Sequence, residues 1–229
     1  MAFLQNILGK FFGTQPVCGV PDTLRMAAEP NRWGITNLKW FVESRPVGVG
    51  ITIGTYDAEV AKAFSRWAAV CSLKFEQTWD KSLANIILRT ARGQEYGFPP
   101  RTGIVANAHM PLDDHFNGQL FLTLNADTVW VLKQAGKGGV TLLPILVHEA
   151  GHNLGLFHST RFDQAMSQGS PFDTPQSEDI QRIQALYGGP AVSVCEKELA
   201  ETKAALVSAN RMIQELNGVI EKAIGVLKR

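Results

Sequence analysis

Cysteine is scarce in this chain: Cys18, Cys71 and Cys195 are the only three among 229 residues. Three is too few for a disulfide-stapled scaffold, and the number is odd. Charge of either sign is not in excess, with 22 Lys plus Arg against 21 Asp plus Glu and a net charge of +1. Nothing electrostatic therefore argues for nucleic acid or an anionic membrane as partner. No apolar run reaches the roughly eighteen residues of a membrane span. Internal repeats and low-complexity segments are absent. The stretch from Met1 to Gly13 is apolar but lacks a basic start, is interrupted by Gln5, Asn6 and Lys10, and precedes no small-residue cleavage site. It is not expected to act as a secretion signal. What remains, 45% hydrophobic and 19% charged residues, is an ordinary globular chain of one or two domains.

Histidine is scarce too, yet three of the five fall in one eleven-residue string, His148-Glu149-Ala150-Gly151-His152-Asn153-Leu154-Gly155-Leu156-Phe157-His158. On a helix, His148 and His152 share one face and can grip one metal ion. Glu149 can reach a water on that metal. Gly155 tolerates the left-handed conformation found just past helix ends, so the chain can turn and bring back His158 as third ligand. Three His ligands leave one tetrahedral position open, as in a catalytic zinc site. The competing reading is a buried helix with chance histidines.

The same string resembles the long zinc signature of the metzincin clan, and Ser159 after it is typical of the matrixins. Ala165-Met166-Ser167 lies where that family has its Met-containing turn. Ser177 to Gly188 resembles the last helix of a matrixin catalytic domain. Far upstream, Pro16-Val17-Cys18-Gly19-Val20-Pro21-Asp22 resembles the matrixin cysteine switch at every position but the second. The resemblance covers roughly residues 16 to 189 and implies a matrix-metalloproteinase-like peptidase. It implies an α/β fold, a metzincin catalytic domain with a twisted mixed sheet beside the zinc-site helix. The domain organisation expected is a short pro-segment at 1–22, a catalytic domain at 23–189 and a C-terminal helix at 190–229.

Element by element, the pattern predicts a first strand over Ile35 to Val42. A helix follows over Asp57 to Val70, with Val60, Ala63, Phe64, Trp67 and Val70 on one apolar stripe. Strands are expected at Leu73 to Glu76, Ala84 to Thr90, Gly103 to His109 and Leu120 to Asn125. The run at Ala84 to Thr90 suits a strand covered on both faces. Gly93 to Gly103, with Pro99 and Pro100, reads as a loop. The zinc helix is expected over Leu142 to Gly155 and the last over Thr174 to Tyr187, stopped by Gly188-Gly189-Pro190.

In the family's mechanism, zinc polarises the scissile carbonyl and lowers the pKa of its bound water, while Glu149 acts as the base. The resemblance makes Met166 an apolar floor under the imidazoles rather than a ligand. It makes Gly103 to Ala108 the edge strand for an extended protein or peptide substrate, with Val105 and Ala106 offering backbone groups. Pro171 and Phe172 fall on one wall of the specificity pocket. Cys18 becomes a fourth zinc ligand in a latent state; its alternative is a free surface thiol in a Pro/Gly-bounded turn. Action outside cells is the family's habit.

The chain also departs from the family. The second, structural zinc of matrixins needs ligands at positions that are Gln94-Glu95 and Asn107 here, and Leu120 to Leu124 carries no His. His109 and His115 read as surface or loop residues. The loop that usually holds calcium is shortened to Phe98-Pro99-Pro100-Arg101, which argues against calcium. One zinc per chain is expected. The segment before the switch is about seventeen residues where the family has a much longer helical pro-domain. Val17 replaces the Arg whose ion pair holds the switch peptide in the family. A structural or binding protein with a closed Cys-His zinc site and no turnover is therefore the alternative function. The retained Glu149 argues for the enzyme.

Beyond Pro190, Leu199, Leu206, Ile213, Ile220 and Leu227 recur every seven residues. Ala209, Leu216 and Ala223 fill the position three after, while Thr202, Gly218 and Gly225 break the pattern. Such a seam predicts a helix of roughly 50 Å and possible homo-oligomerisation through residues 194–228. The equal alternative is a helix packed on its own domain or on a partner subunit. Cys195 falls on the seam, where two parallel helices would bring two such thiols together; pairing with Cys71 or a reduced state are its alternatives.

Overall fold

The computed structural model describes residues 17–20, 32–111, 118–132, 138–190, 202–203 and 205–218. The chain divides into two compact units, residues 1–190 and 191–229.

The first unit is built on a six-stranded sheet. Its strands are β1 (Val17–Cys18), β2 (Asn37–Val42), β4 (Lys74–Gln77), β5 (Ile86–Ala91), β6 (Ile104–Ala108) and β7 (Leu120–Asn125), in the order β1-β6-β7-β5-β2-β4. All neighbouring pairs run parallel except β6 with β7. A second, three-stranded parallel sheet joins β3 (Gly48–Val49), β8 (Trp130–Val131) and β9 (Val140–Thr141). Two-residue strands carry no alternation, so these three, like β1, had no periodic signal in the sequence.

Helix α1 (Ile53–Ala68) starts four residues before the expected Asp57. Its start is fixed by a capping box of two threonines: Thr55 N–H donates to Thr52 Oγ1 at 3.2 Å, and Thr52 N–H to Thr55 Oγ1 at 2.7 Å. The first turn is exposed at Ile53, so the apolar stripe understates the helix. Tyr56, Val60, Ala63, Phe64 and Trp67 are buried along it, and Val70 lies past its end. Helix α2 (Leu142–Asn153) is buried almost all round, from Leu142 through Asn153. Helix α3 (Ser177–Tyr187) closes the unit.

Leu38, Trp40, Ile86, Leu88, Leu120, Leu122 and Leu124 of the sheet share one core with α1 and α2. Phe64 stacks between Trp40 and Phe75, with ring centroids 5.9 and 4.9 Å away. Ile87, on the other face of β5, is buried as fully as Ile86 and Leu88. Helices α1 and α2 touch closely enough for Trp67 Nε1–H to donate to the Val147 carbonyl at 3.0 Å.

Of the second unit, residues 202–203 and 205–218 are helical. Leu206, Met212, Ile213 and Leu216 are exposed, and Arg211 pairs with Glu215 at 3.4 Å. Cys195, Leu199, Ile220 and Leu227 lie outside the described residues, as does His115. Cys71 is a buried thiol that donates to the Trp67 carbonyl. Among the described residues, no helix is long and apolar enough to cross a membrane.

Candidate metal centre

The end of α2 builds the site. Leu154 caps the helix and Gly155 follows at φ 96°. Gly155 N–H bonds to the His152 carbonyl at 2.9 Å, and Leu156 N–H to the Gly151 carbonyl at 3.0 Å. These two bonds are the Schellman pair, and the positive φ is why Gly stands at this position. The reversal carries His158 back toward His148 and His152. It also places the Leu156 carbonyl 2.7 Å from His152 Nδ1.

His148 Nδ1 is held in the same way by the Ala165 carbonyl at 2.8 Å. A carbonyl can only accept, so both Nδ1 atoms carry the proton and both Nε2 lone pairs face the site. His152 Nε2 lies 3.2 Å from Nε2 of His148 and 3.2 Å from Nε2 of His158. Cys18 Sγ lies 3.5 Å from His152 Nε2. Around one zinc, tetrahedral bonds of about 2.05 Å to nitrogen and 2.3 Å to sulfur separate ligand atoms by about 3.3 Å (N to N) and 3.5 Å (N to S). The donor set fits that ion in chemistry and spacing. All four residues are buried, and their ligand atoms lie within 4.8 Å of one another. They are the one such group among the described residues.

Electrostatics agree with a cation site. Burial, then the charge of His158, lowers the His148 pKa to about 4. Burial and the neighbouring imidazoles hold His152 well below its usual value. Neutral imidazoles are the form that binds metal. Burial raises Glu149 to about 8, against a hydrogen bond with Cys18 that lowers it. Glu149 Oε2 is buried and has no hydrogen-bond partner. A buried carboxylate oxygen without a donor is costly unless a cation or a proton source faces it.

Met166 has no exposed surface and its sulfur lies against Gly151 of α2. A Cβ built on Gly151 would come within 2.3 Å of Met166 Sδ and 2.9 Å of Trp67 Cζ2. Only Gly lets the Met turn lie this close to α2. The turn itself is held by α3: Ala165 and Met166 N–H groups donate to the Asp179 carboxylate at 2.7 and 3.3 Å.

Cys18 arrives on a strand. Val17 N–H donates to the Gly103 carbonyl at 3.3 Å, and Gly19 N–H to the Ala106 carbonyl at 2.8 Å. The segment thus occupies the edge of β6, running parallel to it. Ala106 supplies a backbone acceptor there, while Val105 is buried within β6. Gln168, beyond the Met turn, donates its amide to the Cys18 carbonyl at 3.2 Å. Val20 is buried with Met110 and Cys18, and Phe157 packs on them. Pro171 is exposed; Phe172 is half-buried against the main core.

Around Asn107 and Arg89, side chains meet directly. Asn107 donates its amide to the Tyr96 carbonyl at 2.6 Å. The Arg89 guanidinium lies 3.9 Å over the Phe121 ring and 5.1 Å over Tyr96, with Nε bonded to Thr123 Oγ1. His109 meets Phe121 edge-on.

Several of these residues carried no signal for the site in the sequence. Asn153 Nδ2 bridges the carbonyls of His109 and Phe121, tying the end of α2 to β7 and the chain after β6. Gln168 and Asp179 act through tertiary contacts. Gly151 did carry one: a glycine inside a helix marks a close approach.

The matrixin family profile matches residues 32–188. Metalloendoproteinase 1 of Glycine max is 30% identical over 211 positions, covering 80% of this chain and 68% of that protein. Stromelysin-2 of Rattus norvegicus is 28% identical, covering 76% of this chain and 37% of its own length. Macrophage metalloelastase of Oryctolagus cuniculus is 31% identical, covering 77% of this chain and 38% of its own length. The chain thus spans about two thirds of the plant protein and little more than a third of these two animal proteins. It belongs to the matrixin family of zinc-dependent metalloendopeptidases.

Proposed function

We propose that this chain hydrolyses peptide bonds at the centre formed by His148, His152 and His158, and that Cys18 holds it latent. A zinc ion on the three imidazoles would supply Lewis acidity toward the scissile carbonyl and the attacking water. Glu149 takes the proton from that water and delivers it to the leaving amine. Met166 floors the imidazoles. An extended substrate lies along the edge of β6 and uses the Ala106 carbonyl that Gly19 now occupies. Pro171 and Phe172 supply one wall of the specificity pocket.

The observation that carries this reading is the approach of Cys18 Sγ to the three Nε2 atoms, on a segment filling the substrate edge. Without the Arg that Val17 replaces, the latch is expected to be weaker than the family's and latency partial. The Gln168 amide on the Cys18 carbonyl and the apolar seat of Val20 anchor the segment from two sides. Residues 1–22 serve as the pro-segment of a catalytic domain at 23–189, and the family's habit points to action outside cells.

The four protein donors also favour a second reading, a closed structural zinc site without turnover. One experiment separates them: peptidase activity of the full chain against a chain beginning at Thr23. Activity that appears on trimming supports the latent enzyme. Zinc-loaded protein inactive in both forms supports the closed site.

A further inference from the structure

Outside the donor set, a polar tie joins α3 to the loop carrying His158. Arg182 Nη2 donates to the Phe157 carbonyl, one residue before His158, at 2.8 Å. Its Nη1 lies 3.7 Å from Glu178 Oε1, one turn earlier on α3. The same Glu178 oxygen accepts from the Ser159 hydroxyl at 3.0 Å, one residue after His158. His158 is therefore bracketed: the carbonyl before it and the hydroxyl after it are both fastened to one ion pair on α3. Ser159 N–H adds a bond to the Met166 carbonyl at 2.9 Å.

We infer that Arg182 and Glu178 are positioning residues for the third metal ligand. The need is physical. His148 and His152 ride on a buried helix, which fixes both rings. His158 lies beyond the helix cap, in irregular chain, and needs another rigid body to hold its backbone. Helix α3 provides it. Both charged side chains are 28% exposed, so the pair is partly shielded from water. Arg fits the task because its planar fork can serve a carbonyl and a carboxylate at once; Lys has a single nitrogen. The inference rests on the proposed reading of His158 as a ligand.

Zinc affinity of the full chain, measured by competition with a chromophoric chelator, tests this without reference to turnover. Arg182→Ala is expected to weaken zinc binding about tenfold or more, in the range seen for residues that orient metal ligands. Arg182→Ala with Glu178→Ala should cost less than the sum of the single losses, because the two act as one unit. Strict additivity overturns the coupling. Arg182→Ala that binds zinc as tightly as the unchanged chain, while His158→Ala does not, overturns the inference and leaves His158 a ligand. His158→Ala that binds normally removes both. Lowered melting of the metal-free chain with unchanged affinity marks a merely structural role and also overturns it. If Arg182→Ala does not fold, Glu178→Gln carries the test, since it keeps the shape and removes the charge. A loss in the same direction is expected, and unchanged affinity rejects the proposal.

Discussion

Cys18 Sγ sits 3.5 Å from Nε2 of His152, although 134 positions separate them in the chain. Holding that contact takes an edge strand, a side-chain amide and an apolar seat acting together. Cys18→Ser should therefore raise the basal peptidase activity of the full chain, because a hydroxyl is a far weaker zinc ligand than a thiolate. Gln168→Ala should raise it less, since one neutral hydrogen bond is worth about 1 kcal/mol, or about fivefold in the population of the open form. Unchanged activity in Cys18→Ser, with a thiol that labels freely in the zinc-loaded wild-type chain, rejects the latch.

Glu149→Ala separates chemistry from metal binding. Peptide hydrolysis by the trimmed chain should fall by about 10²- to 10⁴-fold, the usual cost of losing a general base. Zinc content should stay at the wild-type level, whereas His152→Ala should lose the metal. Near-normal turnover in Glu149→Ala excludes the mechanism.

Gly151→Ala tests the close approach of the Met turn. The added Cβ meets Met166 Sδ at 2.3 Å and the rigid Trp67 ring at 2.9 Å. Overpacking of this kind costs about 1–3 kcal/mol, against the roughly 1 kcal/mol that Ala gains over Gly in a helix. The clash should win or break even on stability, and the displaced Met166 should weaken zinc binding. A variant more stable than wild type with unchanged zinc affinity contradicts the account.

The metal centre was largely legible in the sequence because its geometry is local. Two His one turn apart, a Gly at the left-handed position and a returning His are set by helix and cap physics alone. Gly155 adopts the positive φ that its place after the helix implies. Residues that act from a distance were not legible. Asp179 looks like an acidic residue in the first turn of a helix, yet two of its partners are backbone groups of the Met turn. Arg182 looks like a helix-surface cation and instead reaches the Phe157 carbonyl. The start of α1 at Ile53 gives a weak sequence signal because a Thr-Thr capping box lacks the usual Glu or Gln. The small sheet of β3, β8 and β9 gives none because two-residue strands have no period.

Alkaline pH should loosen the end of α2 through Tyr187. Its hydroxyl donates to the Leu154 carbonyl at 2.9 Å and accepts from Trp33 N–H at 3.1 Å. Burial raises its pKa to about 12 from the usual 10. A phenol with a raised folded pKa favours the neutral form in the fold. Its contribution is full below about pH 10, where the unfolded phenol starts to ionise, and is lost as pH rises toward 12. Tyr187→Phe should be less stable by about 1 kcal/mol at pH 7 from the lost hydrogen bond. The gap between variant and wild type should narrow from pH 10 upward. A gap independent of pH in denaturant titrations speaks against this role.

Assembly is the last expectation. In residues 202–203 and 205–218 the helix exposes Leu206, Met212, Ile213 and Leu216. Leu206 and Ile213 are seven apart, and Leu216 lies three beyond Ile213, as two seam positions of a heptad are. Exposed apolar residues in that frame gain by pairing, at about 25 cal/mol for each Å² removed from water. A homo-oligomer through residues 194–228 would cover them, and in a parallel pair the two Cys195 thiols would meet across the seam. Light scattering should find the full chain larger than a monomer and a chain ending at Pro190 monomeric. Non-reducing electrophoresis of the oligomer then reports whether Cys195 is bridged. A monomer in both cases rejects the seam and leaves the helix to a different partner.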